Sequence, residues 1–168
     1  MNVKIKYFDE GMPKLAPIRK GDWLDLRVVS AINMMNTIHE IDAGQRLSKK
    51  YSWNNENRLY YLRGDVIICR LGVAMQLPEG YKARIYPRSS TFAKKGLILT
   101  NSVGCIDNSY SGDGDEWIVI MYATRSGYLE QYERLVQFEL AKINEFTLEE
   151  VAVLNNENRD GYGSTGQI

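Results

Sequence analysis

Short apolar or alternating runs recur along the chain, and Gly, Pro, Asn and Asp residues separate them. Alternation with a period of two is typical of half-buried strands, and many short strands divided by turn residues indicate a sandwich or a barrel. We therefore predict an all-β fold, specifically a jelly-roll-like barrel. The predicted strands lie in VKIKYF, WLDLRVV, DVIICRLGVAMQL, YKARIY, GLILT, EWIVIMYAT, RLVQFELAKI and FTLEEVAVL.

Two segments depart from this pattern. The stretch INMMNTIHEIDAGQRL places Met34, Ile38 and Ile41 at helical spacing, which predicts a short helix. The final stretch, NNENRDGYGSTGQI, is polar and rich in glycine, so it cannot build a core of its own. We expect one β-domain over residues 1–154, followed by a flexible arm over residues 155–168.

Composition narrows the range of partners. The chain has 168 residues, enough for one domain, and its 21 basic and 21 acidic side chains give a formal net charge of zero. No overall field attracts duplex nucleic acid or an anionic membrane, so any phosphate recognition must be local. The N-terminus alternates, and no segment approaches the roughly 20 apolar residues of a membrane span, so neither a signal peptide nor a membrane segment is expected.

Both cysteines lie in strand-like contexts without the spacing of metal ligands, Cys69 in VIICRLGV and Cys105 in VGCID. Cysteines of this kind are typical of reduced core thiols in a cytoplasmic protein. A zinc site is therefore not expected.

Arg88, Ser89 and Ser90 follow Pro87 at the end of a predicted strand. A guanidinium group, two hydroxyls and backbone N–H groups that Pro87 leaves unpaired would suit phosphate oxygens. The alternative is a turn that leads into a capped helix. The stretch GYGSTG near the C-terminus has the same ambiguity, because it either wraps phosphates or belongs to a disordered end.

Asp107 lies between two predicted strands, where a turn former is the ordinary interpretation. Two neighbours favour a functional one: Tyr110 offers a flat ring against which a sugar can pack, and Asn101 carries the donor and acceptor of a base-reading amide. The only histidine, His39, lies outside these clusters, so nucleophilic chemistry has no natural base. A carboxylate would have to activate water.

Five motifs connect these clusters: DWLDLR near Asp25, PRSS at 87–90, NSVGCIDNSY at 101–110, ERLVQF at 133–138 and GYGSTG at 161–166. With these motifs in this order, the chain resembles the trimeric dUTPases, the deoxyuridine triphosphate nucleotidohydrolases. The resemblance implies a jelly-roll homotrimer that hydrolyses dUTP to dUMP and pyrophosphate with Mg²⁺. It also implies active sites that gather motifs from more than one subunit.

The resemblance assigns roles by position. Asp107 would be the general base that activates water for attack on the α-phosphorus, while Asp25 contacts the site indirectly and Arg134 supports the phosphate-binding residues. Mg²⁺ would be held mainly by the triphosphate and water. The residues expected to bind substrate are Arg88, Ser89, Ser90, Asn101, Gly104, Cys105, Ile106, Tyr110, Gln137, Arg159, Tyr162, Gly163, Ser164 and Thr165.

Two features depart from the family pattern. Tyr162 stands where the family usually has Phe, and Arg159 precedes it by three residues instead of five. We expect Tyr162 to stack on uracil, with Trp117 as the alternative. The segment 33–63 is longer than its counterpart in the family and ends in the aromatic stretch YSWNNENRLYY, which is either a folded surface excursion or an element that binds a protein partner.

Two other functions compete with dUTP hydrolysis. The related dCTP deaminases share the fold and an Arg-Ser-Ser stretch, but their catalytic Glu would fall near Met121 of this chain. The second is a protein that keeps the dUTPase fold and captures a regulator through the insertion 33–63.

Overall fold

A computed structural model describes residues 2–17, 21–34 and 53–158. These residues form twelve strands and one five-residue helix, which confirms the all-β prediction. The strands are β1 Lys4–Tyr7, β2 Leu24–Arg27, β3 Ser30–Asn33, β4 Arg58–Tyr61, β5 Val66–Arg70, β6 Val73–Gln76, β7 Tyr81–Pro87, β8 Leu97–Leu99, β9 Gly104–Ile106, β10 Ile118–Ala123, β11 Gly127–Glu130 and β12 Arg134–Lys142, and the helix is α1 Thr91–Lys95.

The strands form two four-stranded and two two-stranded sheets. One large sheet has the order β3-β5-β10-β8 and the other β2-β12-β7-β9, while β1 pairs with β6 and β4 pairs with β11. Every pairing is antiparallel. In the second large sheet β7 lies between β12 and β9. It is therefore the neighbour of both strands that carry parts of the motifs 101–110 and 133–138.

One apolar core draws side chains from both large sheets. Leu26, Ile85 and Val136 are fully buried in the second sheet, as Ile67 and Met121 are in the first. Burial alternates along most strands, for example along β10, because successive side chains of a strand point to opposite faces. The alternation that predicted the strands therefore also placed their core faces.

The predicted run DVIICRLGVAMQL is not one strand but two, β5 and β6, in different sheets. The chain changes direction at Gly72, which has φ +68°. A Cβ at this position would lie 2.4 Å from Val29 Cγ1, so glycine is required both by the backbone angle and by the close packing. The apolar run hid this break because both halves face the core.

Three other predictions need correction or fall outside the described residues. No strand forms in FTLEEVAVL: residues 146–154 are exposed, Leu148 by 90%, and no described strand pairs with them. Cys69 is buried as predicted, and burial raises the pKa of its thiol, but Cys105 is exposed and is not a core thiol. Of the predicted helix, Ile32 and Asn33 belong to β3, while 35–47 lies outside the described residues.

The end of the insertion 33–63 is described and contains β4, which pairs with β11 from Arg58↔Glu130 to Tyr61↔Gly127. In the described part of the chain, no helix has the length and apolar character needed to cross a membrane.

Candidate active site

Both predicted site clusters border β7. Arg88 follows the last residue of this strand, and the turn that contains Asp107 follows β9, which pairs with β7. We call the cluster of Asp25, Arg88, Arg134 and Gln137 the arginine end of β7. The segment 104–110 together with Glu116 is the cavity end.

Ion pairs organise the arginine end. Arg88 Nε donates to Asp25 Oδ1 at 2.9 Å, and Arg88 Nη1 donates to the backbone oxygen of Arg134 at 3.2 Å. Arg134 Nη1 lies 3.2 Å from Asp25 Oδ2. Asp25 is only 8% exposed, so its charge needs these partners, because an unpaired buried carboxylate is costly. The carboxylate thus fixes two guanidinium groups that both reach solvent.

Strand register brings Gln137 to the same place. On β12, Gln137 lies opposite Asp25 of β2 on one side and opposite Tyr86 of β7 on the other. Its side-chain Nε2 donates to the backbone oxygen of Pro87 at 3.3 Å. The antiparallel sheet thus brings Gln137 next to Asp25, although more than 100 residues separate them in the sequence.

Ser89 is exposed, and Ser90 is the N-cap residue of α1. The predicted alternative of a helix start after PRSS is therefore correct in part, because a helix does begin at Thr91. However, the Ser90 side chain makes no capping hydrogen bond, so the helix does not use its hydroxyl. A cavity of about 220 Å³ opens beside it, lined by Arg88, Ser90, Thr91, Lys94, Lys95, Glu133, Arg134 and Leu135.

The cavity end is built from β9, the turn that follows it and the start of β10. A cavity of about 270 Å³ is lined by Cys105, Ile106, Asp107, Tyr110, Glu116 and Ile118. Gly104 is buried opposite Ile85, and a Cβ added there would lie 3.1 Å from Ile85 Cβ, so a larger residue would push β9 away from β7. Asn101 lies on the surface before β9.

The Asp107 turn is held by a residue that sequence reasoning missed. Asn108 Nδ2 donates to the backbone oxygens of Pro78 at 2.8 Å and Tyr81 at 2.9 Å, which fixes the turn to the start of β7. The Asp107 carboxylate is exposed, and no donor among the described residues bonds to it. Asn108 therefore stabilises the turn, and the Asp107 carboxylate accepts no hydrogen bond from the described residues. The amide adjacent to Asp107 in IDNS was the only signal for this role.

Tyr110 is 41% exposed, and its hydroxyl donates to the backbone oxygen of Glu116 at 3.3 Å. Burial raises the pKa of Tyr110, and the nearby charges of Asp115 and Glu116 act in the same direction. The raised pKa favours the protonated hydroxyl, which is the form that donates this hydrogen bond.

The two ends are far apart within one chain. Ile106 pairs with Ala83, so the register places Asp107 beside Lys82, six residues before Arg88. At about 3.3 Å per residue, the two positions are roughly 20 Å apart. The structure therefore brings Asp25, Arg88, Arg134 and Gln137 together, and Cys105, Ile106, Asp107 and Tyr110 together, but it does not join the two groups. Arg159, Tyr162, Gly163, Ser164 and Thr165 lie outside the described residues.

Two buried residues bear on the alternatives. Trp117 is fully buried and packs edge-on against Phe138, with ring centroids 5.2 Å apart, so it offers no face to a base. Met121 is also fully buried in the core, where no side chain could reach a substrate.

The described residues contain no group of three or more His, Cys, Asp or Glu side chains that could hold a metal ion. Among them, Asp25 Oδ2 is a buried oxygen that accepts no hydrogen bond, since Arg134 lies at ion-pair distance but not in hydrogen-bonding geometry. The Asp25 carboxylate thus fits a magnesium ion that the substrate and water hold and that the protein contacts only indirectly.

Comparisons with known proteins agree on one family. Residues 31–166 match the family model described as dUTPase. The chain is 36% identical over 167 residues to the SPbeta prophage-derived deoxyuridine 5'-triphosphate nucleotidohydrolase YosS of Bacillus subtilis, covering 99% of both proteins. Over 114 residues, it is 32% identical to a deoxyuridine 5'-triphosphate nucleotidohydrolase of Rickettsia akari, covering 67% of this chain and 76% of that one.

Solved structures share the fold. The dUTPase of Staphylococcus bacteriophage 80alpha with dUPNHPP superposes with a TM-score of 0.67 at 15% identity, covering 99% of both chains. The dUTPase of Streptococcus mutans superposes with a TM-score of 0.61 at 21% identity, covering 88% of this chain and 99% of that one. The jelly-roll-like fold expected from the sequence is thus the fold observed.

Proposed function

The chain belongs to the dUTPase family, and on that premise we propose that it hydrolyses dUTP to dUMP and pyrophosphate. The observation that carries this proposal is the free Asp107 carboxylate at the mouth of a nucleoside-sized cavity that also contains Tyr110. The reaction would act on the cytoplasmic nucleotide pool.

Asp107 is the general base. It orients a water molecule and accepts its proton while the water oxygen attacks the α-phosphorus and the bond to the pyrophosphate leaving group breaks. A base of this kind contributes a factor of about 10²–10⁴, so most of the acceleration comes from positioning and charge neutralisation. The exposed carboxylate supports this role, because none of the described residues must release it before it binds water.

The arginine end binds the phosphates. Arg88, Ser89, Ser90 and Gln137 contact phosphate oxygens, and Asp25 holds Arg88 and Arg134 in place before substrate arrives. When bound, Mg²⁺ would neutralise charge on the triphosphate, and Asp25 would contribute only indirectly, because its Oδ2 is buried beside Arg134. Residues Arg159, Tyr162, Gly163, Ser164 and Thr165 close over the nucleotide.

The cavity end selects the nucleoside. Asn101 and the backbone of residues 104–106 read the N3–H donor and O4 acceptor of uracil, and cytosine presents the opposite pattern. A mismatch leaves buried polar groups unpaired, and sites of this kind discriminate by about 10⁴–10⁵. Tyr110 lies beneath the sugar and leaves no room for a ribose 2′-hydroxyl.

The active site is shared between subunits of a homotrimer. The roughly 20 Å between Asp107 and Arg88 along β7 supports this, because a triphosphate cannot span both ends with its α-phosphorus beside Asp107. A copy of the chain that places its arginine end against the cavity end of a neighbour would complete the site.

Mixing two variants with impaired dUTP hydrolysis tests this arrangement. In a trimer with both Asp107→Asn and Arg88→Ala subunits, some sites combine an intact Asp107 with an intact Arg88, so dUTP hydrolysis should reappear after refolding the mixture. If both ends acted within one chain, no mixture would recover activity. A monomeric mass by light scattering with full activity would also contradict the shared site.

Substrate choice separates this function from its enzymatic rival. Release of pyrophosphate should be fast from dUTP and much slower from dCTP, dTTP and UTP, and it should require Mg²⁺. The buried Met121 disfavours dCTP deamination, because that position cannot supply an acid or base. Ammonia release from dCTP would reverse the assignment.

A second function is supported by the end of the insertion 33–63. Tyr60 is 59% exposed and lies 5.7 Å from the Tyr128 ring, over which the Arg58 guanidinium stacks at 4.6 Å. Exposed aromatic and Arg side chains are typical of the centre of protein interfaces. We propose that this ribbon of β4 and β11 also binds a regulatory protein. Tyr60→Ser should then abolish complex formation and leave dUTP hydrolysis unchanged, and loss of hydrolysis would instead place Tyr60 in the enzyme's own architecture.

A further inference from the structure

Glu116 is an unusual residue in the cavity end because it is both charged and buried, with 7% of its surface exposed. Its Oε2 accepts hydrogen bonds from Nε of Arg70 at 2.6 Å and from Nη2 of the same guanidinium. Its Oε1 accepts from the backbone N–H of Gly72 at 2.9 Å. The carboxylate is therefore fully engaged and cannot serve as an acid or base.

The backbone around Glu116 is fixed as tightly as its side chain. Trp117 N donates to the oxygen of Val73 at 2.8 Å, and Leu71 N donates to the oxygen of Trp117 at 2.9 Å. These bonds join the segment to both sides of the Gly72 bend between β5 and β6. The Glu116 backbone oxygen is consequently tied to the core, in addition to the bond from Glu116 N to the oxygen of Gly114 at 2.9 Å in the loop 107–115.

Stability alone does not account for this pair. The Arg70 side chain is 39% exposed and that of Glu116 is 6% exposed, so the pair mainly compensates the burial of the Glu116 carboxylate. Glu116 also provides a fixed hydrogen-bond acceptor. Its backbone oxygen accepts a hydrogen bond from the Tyr110 hydroxyl at 3.3 Å. The rest of the exposed Tyr110 ring borders the cavity, so this hydrogen bond determines where the ring edge stands.

We propose that Arg70 and Glu116 are positioning residues that hold Tyr110 at a fixed height in the cavity and thereby set the discrimination between deoxyribose and ribose nucleotides. This inference rests on the proposed function, in which Tyr110 lies beneath the sugar. A steric wall rejects a 2′-hydroxyl only if it cannot move away. The Arg70–Glu116 pair supplies the rigidity that an exposed ring lacks.

The test compares kcat/KM for dUTP and for UTP in Glu116→Gln and Tyr110→Phe. Glu116→Gln keeps the shape but weakens the charge pair, and Tyr110→Phe removes only the hydroxyl that bonds to the Glu116 oxygen. In both variants the dUTP-to-UTP ratio should fall about tenfold, the order expected for one neutral hydrogen bond. The change should come mainly from faster UTP hydrolysis.

The double variant separates positioning from a merely structural role. If both residues act through the same hydrogen bond, the ratio in the double variant should be no lower than in either single variant. Multiplied effects would instead show independent contributions and overturn the inference. Glu130→Gln is the matched control: it removes a carboxylate that pairs with Arg58 at 3.2 Å on the surface, and it should leave the ratio unchanged.

The outcomes also separate this inference from the proposed function. An unchanged ratio in Tyr110→Phe, with rapid dUTP hydrolysis, overturns the positioning role and leaves the function intact. Absence of dUTP hydrolysis in the unmodified protein overturns both. If Glu116→Gln does not fold, Tyr110→Phe decides alone, because it leaves the ion pair untouched.

Discussion

The two ends of β7 use opposite means of recognition. At the arginine end, a buried carboxylate holds two guanidinium groups by direct ion pairs, and the exposed atoms are charged. At the cavity end, the lining combines apolar residues with the Tyr110 ring, and the exposed Asp107 carboxylate accepts no hydrogen bond from the described residues. The first arrangement suits any polyphosphate, since charge attraction does not depend on the base. The second suits one nucleoside, since backbone groups and a ring define shape and hydrogen-bond pattern.

In the proposed function, this difference would divide affinity and specificity between the two ends. Charge for the phosphates is organised in advance within one chain, because Asp25 neutralises the arginines until substrate replaces part of that contact. Selection of the base and the attacking water are placed at the other end, roughly 20 Å along β7. Variants at the cavity end should therefore lower turnover, and variants at the arginine end should weaken substrate binding.

The largest effect is expected at the cavity end, from Asp107→Asn. The amide keeps the shape but cannot accept the proton of water, so kcat should fall by about 10²–10⁴ while the affinity for a non-hydrolysable dUTP analogue is kept. Single-turnover kinetics and calorimetry measure the two quantities. Asp113→Asn is the control, because Asp113 is an exposed carboxylate of the same loop with a surface partner, Lys6. Unimpaired turnover in Asp107→Asn would remove Asp107 from the mechanism.

At the arginine end, Arg88→Ala should chiefly weaken binding. Hydrogen bonds to charged groups are worth about 1.5–3 kcal/mol, so kcat/KM for dUTP should fall roughly 10- to 150-fold. Inhibition by deoxyuridine, which has no phosphate, should not change. Arg88→Lys should recover only part of the loss, since an ammonium group cannot contact two oxygens in the fixed geometry of a guanidinium.

The proposed difference between the two ends is wrong if Arg88→Ala weakens the binding of deoxyuridine and of dUTP equally. The arginine end would then also contribute to binding of the nucleoside. Arg63→Ala, at an exposed position before β5, should affect neither ligand.

A smaller effect is expected from the C-terminal arm, which would cover both ends at once. Tyr162→Ala should cost about 1–3 kcal/mol in dUTP affinity, the range found when an aromatic stacking partner of a base is removed. Deletion of residues 159–168 should cost more, because contacts to the phosphates are lost as well. If Tyr162→Ala leaves dUTP affinity unchanged while the deletion lowers it strongly, another aromatic residue stacks on the base. Trp117 cannot be that residue in this arrangement, because it is fully buried.

The smallest effect tests whether backbone alone forms the wall of the cavity. Cys105→Ser alters an exposed side chain and should change the free energy of unfolding by no more than about 0.5 kcal/mol, with substrate selectivity kept. Cys69→Ser is the matched contrast: it buries a hydroxyl in an apolar core and should cost about 1–3 kcal/mol of stability. Thermal melts and the dUTP-to-dCTP ratio measure both. A change of selectivity in Cys105→Ser would show that its side chain contacts the base.

Much of the fold could be predicted because alternation reports burial on one face of a strand. The runs YKARIY and RLVQFELAKI became β7 and β12, paired over seven residues. FTLEEVAVL has the same apolar content, yet none of the described strands pairs with it, and Leu148 is 90% exposed. A pattern gives the preference of a segment for a sheet, but a strand also needs a neighbour, which no local pattern specifies.

The site residues were found by type and motif, and their arrangement was not. Arg88 and Gln137 were assigned to phosphate binding and Asp25 to an indirect contact with the site, and the register of β2, β12 and β7 brings them into one cluster. Asn108, Arg70 and Glu116 gave no comparable signal, since an Asn in a turn and a separated Arg and Glu are common in any sequence. Their importance depends on which backbone groups lie within about 3 Å of them, which only the folded chain determines.

The sequence by itself determined the all-β class, the family and the chemical types available at the site, because these depend on periodicity and on the order of short motifs. Only the tertiary structure decided that β5 and β6 part at Gly72, that Cys105 faces a cavity while Cys69 lies in the core, and that Asp107 and Arg88 stand at opposite ends of one strand. The physical reason is that strand pairing, close packing and separation along a sheet are relations between distant residues. The type of a side chain determines which interactions it can make. The sheet register determines which other residues lie close enough to make them with it.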